Sequence, residues 1–478
     1  MTPDTRAAGP ADARAADPAE DPAGGIVAGL VADLVAVEVP VGGRVMVVSD
    51  LRLGRDATPA SAAAVAGLAQ AIDAWDGPGV LVFAGGLFDL LTGGPLHPGA
   101  AAAALAAHPK LAGAVTGFCG AERRRILVLP GSRDGRLAWD ESTRDAVASG
   151  LGAEVALAVE LEVATGAGLR RVRVEPGHRF DARFAPGDPR SPSDSPLGHH
   201  VLTELMPTLP GYASWLSGPE DLRAQADLPR FLVSRLTYRR LARHGWWLLI
   251  PFVIAVALKV PLVYAIAARG PIHGAGMRSW GGRIGLLGVT TVVDLLLVAL
   301  AAFYVSRRAW REMSPVAVGE GGLDSNNCAR DTARDLVTAG LAGLVTGHTL
   351  QPELAHLGTG FYANAGGGTV VLDEVPGRAG LPPVFLPFRL LSWIELEAGA
   401  ELHVRLLHSR VEVPGATLLE RLAARRPALR EPRPVVVGAF PAGRPWPPVT
   451  DPVRRQRRVR RWAAIAIAVA GVLDLLSG

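Results

Sequence analysis

Two apolar stretches in the middle of the chain constrain its fold more than any other feature of its 478 residues. The first reads WWLLIPFVIAVALKVPLVYAIAA (246–268) and the second IGLLGVTTVVDLLLVALAAFYV (284–305). Each is about 22 residues long, and a helix rising 1.5 Å per residue needs roughly 20 to cross a bilayer core of about 30 Å. Trp246, Trp247 and Tyr304 lie near the ends, where aromatic side chains favour the membrane–water interface. A pair of buried core helices would share this composition, but the length and the flanking arginines favour a transmembrane hairpin. Arg235, Arg239, Arg240 and Arg243 precede the first stretch, and Arg307, Arg308 and Arg311 follow the second. The loop between them carries only Arg269, Arg278 and Arg283. Positive residues gather on the cytoplasmic side, so both long flanking regions are expected in the cytoplasm of a multi-pass protein of the cell membrane.

Each stretch holds one ionisable residue well inside it, Lys259 and Asp294. Counted from Arg269 and Arg283, both sit roughly 15 Å below the outer end, near the midplane. A lone charge there is costly, so the two are expected to pair across the hairpin, the alternative being a partner in an oligomer or a polar cavity.

A mean hydropathy of +0.25 is high for a chain of this size, and it fits apolar mass placed outside an ordinary core. Net charge is only +4, which with this apolar content excludes global disorder. Two cysteines, Cys119 and Cys328, exclude a disulfide scaffold and a four-cysteine zinc module. The basic excess lies beside apolar segments, so membrane lipids are the expected partners and nucleic acid is not. Residues 1–25 read as a disordered tail with no basic start leading into an apolar run, so no secretory leader is expected. Helical spacing of Ile26, Leu30, Val31, Leu34 and Val35 predicts a first helix there. Residues 26–240 and 312–425 are expected to form the two parts of one domain around a hairpin at 241–311. A Pro-rich linker is expected at 426–453, followed at 454–478 by an arginine run and an apolar tail that associates with the membrane.

Between residues 41 and 175, short β-rich runs alternate with Ala-rich stretches. VMVVS (45–49), VLVFAG (80–85) and ILVLPG (126–131) are continuous apolar runs of the kind buried on both faces, with helices expected at 60–75 and 100–114. VALAVELEV and LRRVRVEP alternate as paired strands, and LLSWIELEAG with AELHVRLLHSRVEV reads as a β-hairpin. The expected class is α/β.

Gly- and Asp-containing turns follow these strands: SDLRLG (49–54), AGGLFDLL (84–91), PGSRD (130–134), EPGHRFD (175–181) and TGHTLQPEL (346–354). Their order and spacing resemble the calcineurin-like metallophosphoesterases, in particular the branch of UDP-2,3-diacylglucosamine pyrophosphatase-like enzymes. There the turns typically read SDLHLG, GDxFD, GNHD, HGHxFD and GHTHxPE. FYANAGG (361–367) and DSPLGHHV (194–201) also resemble that branch. The resemblance spans about residues 41–397, with the hairpin between the fourth and fifth motifs. It implies a four-layer α/β/β/α sandwich whose loops hold two divalent cations, Mn, Fe or Zn, for hydrolysis of phosphoric esters or diphosphates.

Matched to those motifs, Asp50 stands where the first metal aspartate does, and His348 also survives. Arg52 replaces a histidine, Gly86 the bridging aspartate, Ser132 an asparagine and Arg133 the histidine that assists the leaving group. Pro176 and Leu350 replace two more histidines. His178, Asp89, Asp134 and Asp181 remain, at positions that are mainly turn-forming in the family. One carboxylate and one imidazole make a poor site for a hard cation pair. The expected function is therefore a membrane-anchored, degenerate member that binds a phosphorylated ligand or scaffolds, with no cofactor. An atypical metal site hydrolysing a nucleotide- or lipid-linked substrate is the alternative. Arginine is always charged and grips phosphate oxygens bidentately, so Arg52, Arg133 and His178 are candidate phosphate-binding residues, with His348 lining the same pocket. In the competing reading the two arginines pair with Asp50 and Asp134 and hold an empty site together.

Overall fold

A computed structural model describes residues 34–91, 99–224, 227–241, 253–254, 257–261, 280–317, 325–425 and 431–441. The strands in chain order are β1 (Leu34–Val39), β2 (Arg44–Val48), β3 (Gly79–Ala84), β4 (Arg124–Leu129), β5 (Glu154–Val155), β6 (Ala158–Thr165) and β7 (Gly168–Val174). After the apolar segments come β8 (Gly343–Thr346), β9 (Glu353–Leu357), β10 (Gly360–Asn364), β11 (Val370–Val375), β12 (Val384–Ala398), β13 (Leu402–Glu412) and β14 (Glu431–Phe440). They form two mixed sheets. One runs β14-β13-β12-β2-β3-β4-β5 with β11 on β12, and the other runs β1-β6-β7-β8-β10-β9. The fold is thus mixed α/β, and β2 to β5 are parallel, as runs buried on both faces require.

Alternation along those strands divides the core in two. Val45, Val47, Val80, Val82, Leu127 and Leu129 meet Val37, Val39, Leu161, Val163, Val172 and Val174 between the sheets. Their neighbours Met46, Val48, Leu81, Phe83, Ile126 and Val128 point the other way, into helices. Those helices are α1 (Pro59–Asp73), α2 (Ala100–Ala107), α3 (Pro109–Cys119) and α4 (Glu141–Leu151). Before the apolar segments lies α5 (Leu228–Arg235), and the second segment is α6 (Trp280–Ala317). On the outside of the other sheet, α7 (Asn327–Thr338) packs Ala329 and Ala333 on Leu344 and Tyr362. A short α8 (Leu418–Ala423) follows β13, opened by a Thr417–Glu420 capping box.

Several expectations are corrected. Leu34 and Val35 open β1 rather than closing a helix, because the period of two in LVAVEV places Val37 and Val39 in the intersheet core, with β1 running parallel to β6. The helix expected at 100–114 is two helices. Pro109 disfavours a helical residue before it, and His108 leaves the helix at φ −122° and ψ 61°. Part of the expected linker at 426–453 is β14, an edge strand on β13. Its VVV run supplies β propensity, and Pro432 and Pro434 fall where the register slips between His408 and Arg410. The hairpin boundary at 311 is also passed, since α6 continues to Ala317.

Among the described residues, α6 is the one helix long and apolar enough to cross a membrane, over Gly288–Val305. Among the described residues none of that window is buried, and Leu296, Leu297 and Leu300 are largely exposed. Most of the first apolar stretch, the loop after it and the tails at 1–25 and 454–478 lie outside the described residues. Of that stretch, 253–254 and 257–261 are helical, and Lys259 Nζ pairs there with Asp294 Oδ2 of α6.

Candidate functional site

Five loops leave the C-terminal ends of β2, β3, β4, β7 and β8 and meet at one place, the usual location of sites in α/β sheets. Backbone packing brings them together. A side chain on Gly131 would strike the Gly86 amide at 2.6 Å, and one on Gly347 would strike Ser49 and the Ala84 carbonyl. Asp134 fastens the second loop to the third. Its buried carboxylate accepts from the amides of Gly131 (2.6 Å), Gly86 (3.1 Å) and Phe88 (3.2 Å). Burial pushes its pKa up to about 6 in spite of these three donors.

Strain marks the same place. Asp50, Arg52, His348 and Leu350 all have positive φ, at 49°, 49°, 78° and 55°, and among the described residues only Arg123 and Ala379 share this outside glycine. Such conformations cost on the order of 1–3 kcal/mol each and persist where the surroundings over-determine them. Here they coincide with four positions at which the motif resemblance implies metal or histidine sites.

Asp50 Oδ2 accepts the His348 amide at 2.7 Å, and Asp50 Oδ1 lies 3.9 Å from Arg52 Nε. His348 Nε2 is 3.2 Å from Asp181 Oδ2 and its Nδ1 is 3.4 Å from Ser132 Oγ, while Phe184 packs edge-on against its ring. His178 is buried beside it, with ring centres 6.3 Å apart. Burial first, then the neighbouring His348 and Arg179, push the His178 pKa down to about 3, so it is neutral at physiological pH. Its Nδ1 has no hydrogen-bond partner.

These residues do not fit the paired cations that the family resemblance implies. Gly86 offers no ligand, and a Cβ there would stand 2.9 Å from Asp50 Oδ1. The gap enclosed by Asp50, Gly86, Ser132, His178 and His348 is too narrow to admit a water molecule. A guanidinium sits beside the surviving carboxylate, and among the described residues no three His, Cys, Asp or Glu side chains are grouped to share a metal ion.

The two arginines lie above this closed floor. Arg133 is buried, with Nη1 2.7 Å from Asp89 Oδ2 and Nη2 donating to the Glu220 carbonyl at 3.2 Å. Its carboxylate partner is therefore Asp89 and not Asp134, which the main-chain amides already occupy. Arg52 is 13% exposed on its side chain, and its buried Nε has no hydrogen-bond partner. Burial and then Arg133 push its pKa down to about 10, against the pull of Asp50, Asp89 and Asp221. Both arginines line two cavities. One, of about 360 Å³, also holds Asp181, Arg183, Arg223 and His348. The other, of about 740 Å³, holds Asp89, Asp221, Arg235 and Arg239. His178 lines a third, mostly apolar cavity of about 300 Å³ with Trp139, Leu157 and Phe184, which Arg133 reaches and Arg52 does not. Asp50 and His348 are thus brought together, as are Arg52 and Arg133, while His178 stands apart from Arg52.

Arg183, Arg223, Glu220 and Asp221 were not legible as site residues. They come from irregular turns carrying no motif, and only folding brings them over the strand ends. Burial, with Glu220 next to it, pushes the Asp221 pKa up to about 6. Compared with protein-family models and with curated proteins, the chain matches none.

Proposed function

We propose that the chain is a membrane-anchored relative of the calcineurin-like metallophosphoesterases that holds a phosphorylated ligand without metal and does not hydrolyse it. The family reading is supported by five loops that follow the motif order and converge at the strand ends, within helix, sheet, sheet and helix layers. The hairpin enters between the fourth and fifth motifs. Membrane anchoring is supported by the exposed apolar window of α6, with Arg307, Arg308 and Arg311 just beyond it, as the positive-inside rule expects of a cytoplasmic flank.

The observation that carries the ligand reading is Arg52, a half-buried guanidinium with a buried, unpartnered Nε that opens on two cavities. Desolvated cations lacking full hydrogen bonding favour an anion, and the planar fork suits phosphate oxygens. Arg133 acts differently: tied to Asp89 and the Glu220 carbonyl, it holds the wall between the cavities and positions Arg52. His348 supplies a second polar edge, oriented by Asp181. The neutral His178 contributes shape rather than charge.

The test uses the full chain in detergent. Inorganic pyrophosphate is expected to raise its melting temperature equally with and without EDTA. No manganese-dependent cleavage of bis-p-nitrophenyl phosphate is expected. Cleavage that follows added manganese, or stabilisation that EDTA abolishes, would overturn the proposal.

A further inference from the structure

Helix α8 turns an apolar face away from the protein. Leu418, Leu419 and Leu422 are 75%, 43% and 59% exposed, whereas Glu420 and Ala423 on the other side are buried. Burying a leucine fully is worth roughly 1.5–3 kcal/mol, so three together in water are a standing cost unless something covers them.

What lies beside this helix identifies the cover. Glu420 accepts from Arg235 Nη1 at 2.5 Å and from Arg239 Nε at 2.9 Å, both just ahead of the first apolar stretch. The Tyr238 hydroxyl donates to the Pro382 carbonyl at 2.7 Å, and Arg378 Nε donates to the Ala424 carbonyl at 3.1 Å. From the other arm, Arg307 packs on the same turn: a Cβ on Gly380 would stand 3.1 Å from its Nε. Both arms of the hairpin therefore meet the domain at α8 and the turn at 377–382, which the Gly377–Ala424 bridge sets beside it. Cationic and aromatic groups ring this base, with Arg421 and Arg425 exposed on and after α8, and Arg240 stacked on Trp215 at 5.6 Å.

We propose that the Leu418–Leu419–Leu422 face is an interfacial seat, set into the boundary between headgroups and acyl chains of the leaflet the hairpin enters. Its arginines face anionic headgroups. This rests on the reading of the hairpin as membrane-crossing. The seat would fix the height and tilt of the domain over the bilayer, and with them the direction in which the Arg52 cavities open.

The test places one nitroxide at a time on the full chain, after Cys119→Ser and Cys328→Ser. The sites are Leu419→Cys, Leu422→Cys, Leu297→Cys on α6 and the exposed Leu169→Cys near the start of β7, in vesicles of phosphatidylcholine with phosphatidylglycerol. Labels at 419 and 422 are expected to collide with oxygen and be shielded from a water-soluble nickel chelate, as at 297, with the reverse at 169. Nickel access at 419 and 422 while 297 stays lipidic would overturn the seat and leave the hairpin standing. Nickel access at 297 as well would overturn both. Shielding of 419 and 422 from both reagents would mean that a protein surface covers the face, and would also overturn the seat.

Discussion

Asp50 Oδ2 accepts the main-chain N–H of His348 at 2.7 Å, across 298 residues of sequence. Asp50 and His348 thus serve to join the first and fifth loops. Asp50→Ala removes a charge-assisted hydrogen bond and the nearest carboxylate to Arg52, and puts alanine at φ 49°. A loss of about 2–3 kcal/mol is expected, read as a lower midpoint of chemical unfolding. Asp50→Asn keeps an acceptor and should lose less. An unchanged midpoint for the alanine variant would remove this role.

Placing a carboxylate at position 86 should not create a metal site. At φ 65° Gly86 lies in the left-handed region, and a Cβ there meets Asp50 Oδ1 at 2.9 Å and its Cα at 3.1 Å. Gly86→Asp is expected to destabilise by about 1–3 kcal/mol and to leave manganese binding unmeasurable by calorimetry. Stoichiometric uptake of manganese by this variant would show that the other ligands remain competent.

The buried His178 gives stability a definite pH dependence. Its folded pKa, near 3, lies below the unfolded value of 6.5, so the unfolded chain binds more protons between these limits. The contribution is complete above about pH 6.5 and declines as pH falls, by at most about 1.4 kcal/mol per unit. Asp221 acts in the opposite sense: raised to about 6, it favours the fold below about pH 4 and loses that effect as pH rises through 6. His178→Phe should therefore lose less stability than the parent between pH 6.5 and 4. Parallel pH profiles for the two chains would refute the assignment.

Lys259 and Asp294 offer a test within the hairpin. Neutralising either one leaves its partner as a lone charge in the apolar segment. Lys259→Leu with Asp294→Leu should insert better than the two single effects sum to, measured as glycosylation of tagged hairpins in microsomes. Strict additivity would mean that the pair has no energetic role.

The strand ends were legible because GVLVFA and its neighbours are unbroken apolar runs, and such runs must be buried on both faces. The loops after them were legible for the same reason, together with Asp50 and His348. The partner of Arg133 was not. Asp89 and Asp134 both lie in motif turns, and nothing in their spacing shows that the amides of residues 86, 88 and 131 claim Asp134. Strand β14 was hidden by Pro432 and Pro434, which an edge strand tolerates and a central one would not. Nor does the sequence tell which side of LLERLA the sheet covers, so the exposure of the α8 leucines is visible only in the fold.

Calorimetric titration of inorganic pyrophosphate into the full chain in EDTA, repeated with Arg52→Gln, tests most directly whether metal-free phosphate capture depends on the Arg52 guanidinium. We expect saturable binding to the parent and at least about tenfold weaker binding to the variant, the loss of one charge-assisted contact. Equal affinity in both chains, or no binding to the parent, would contradict it.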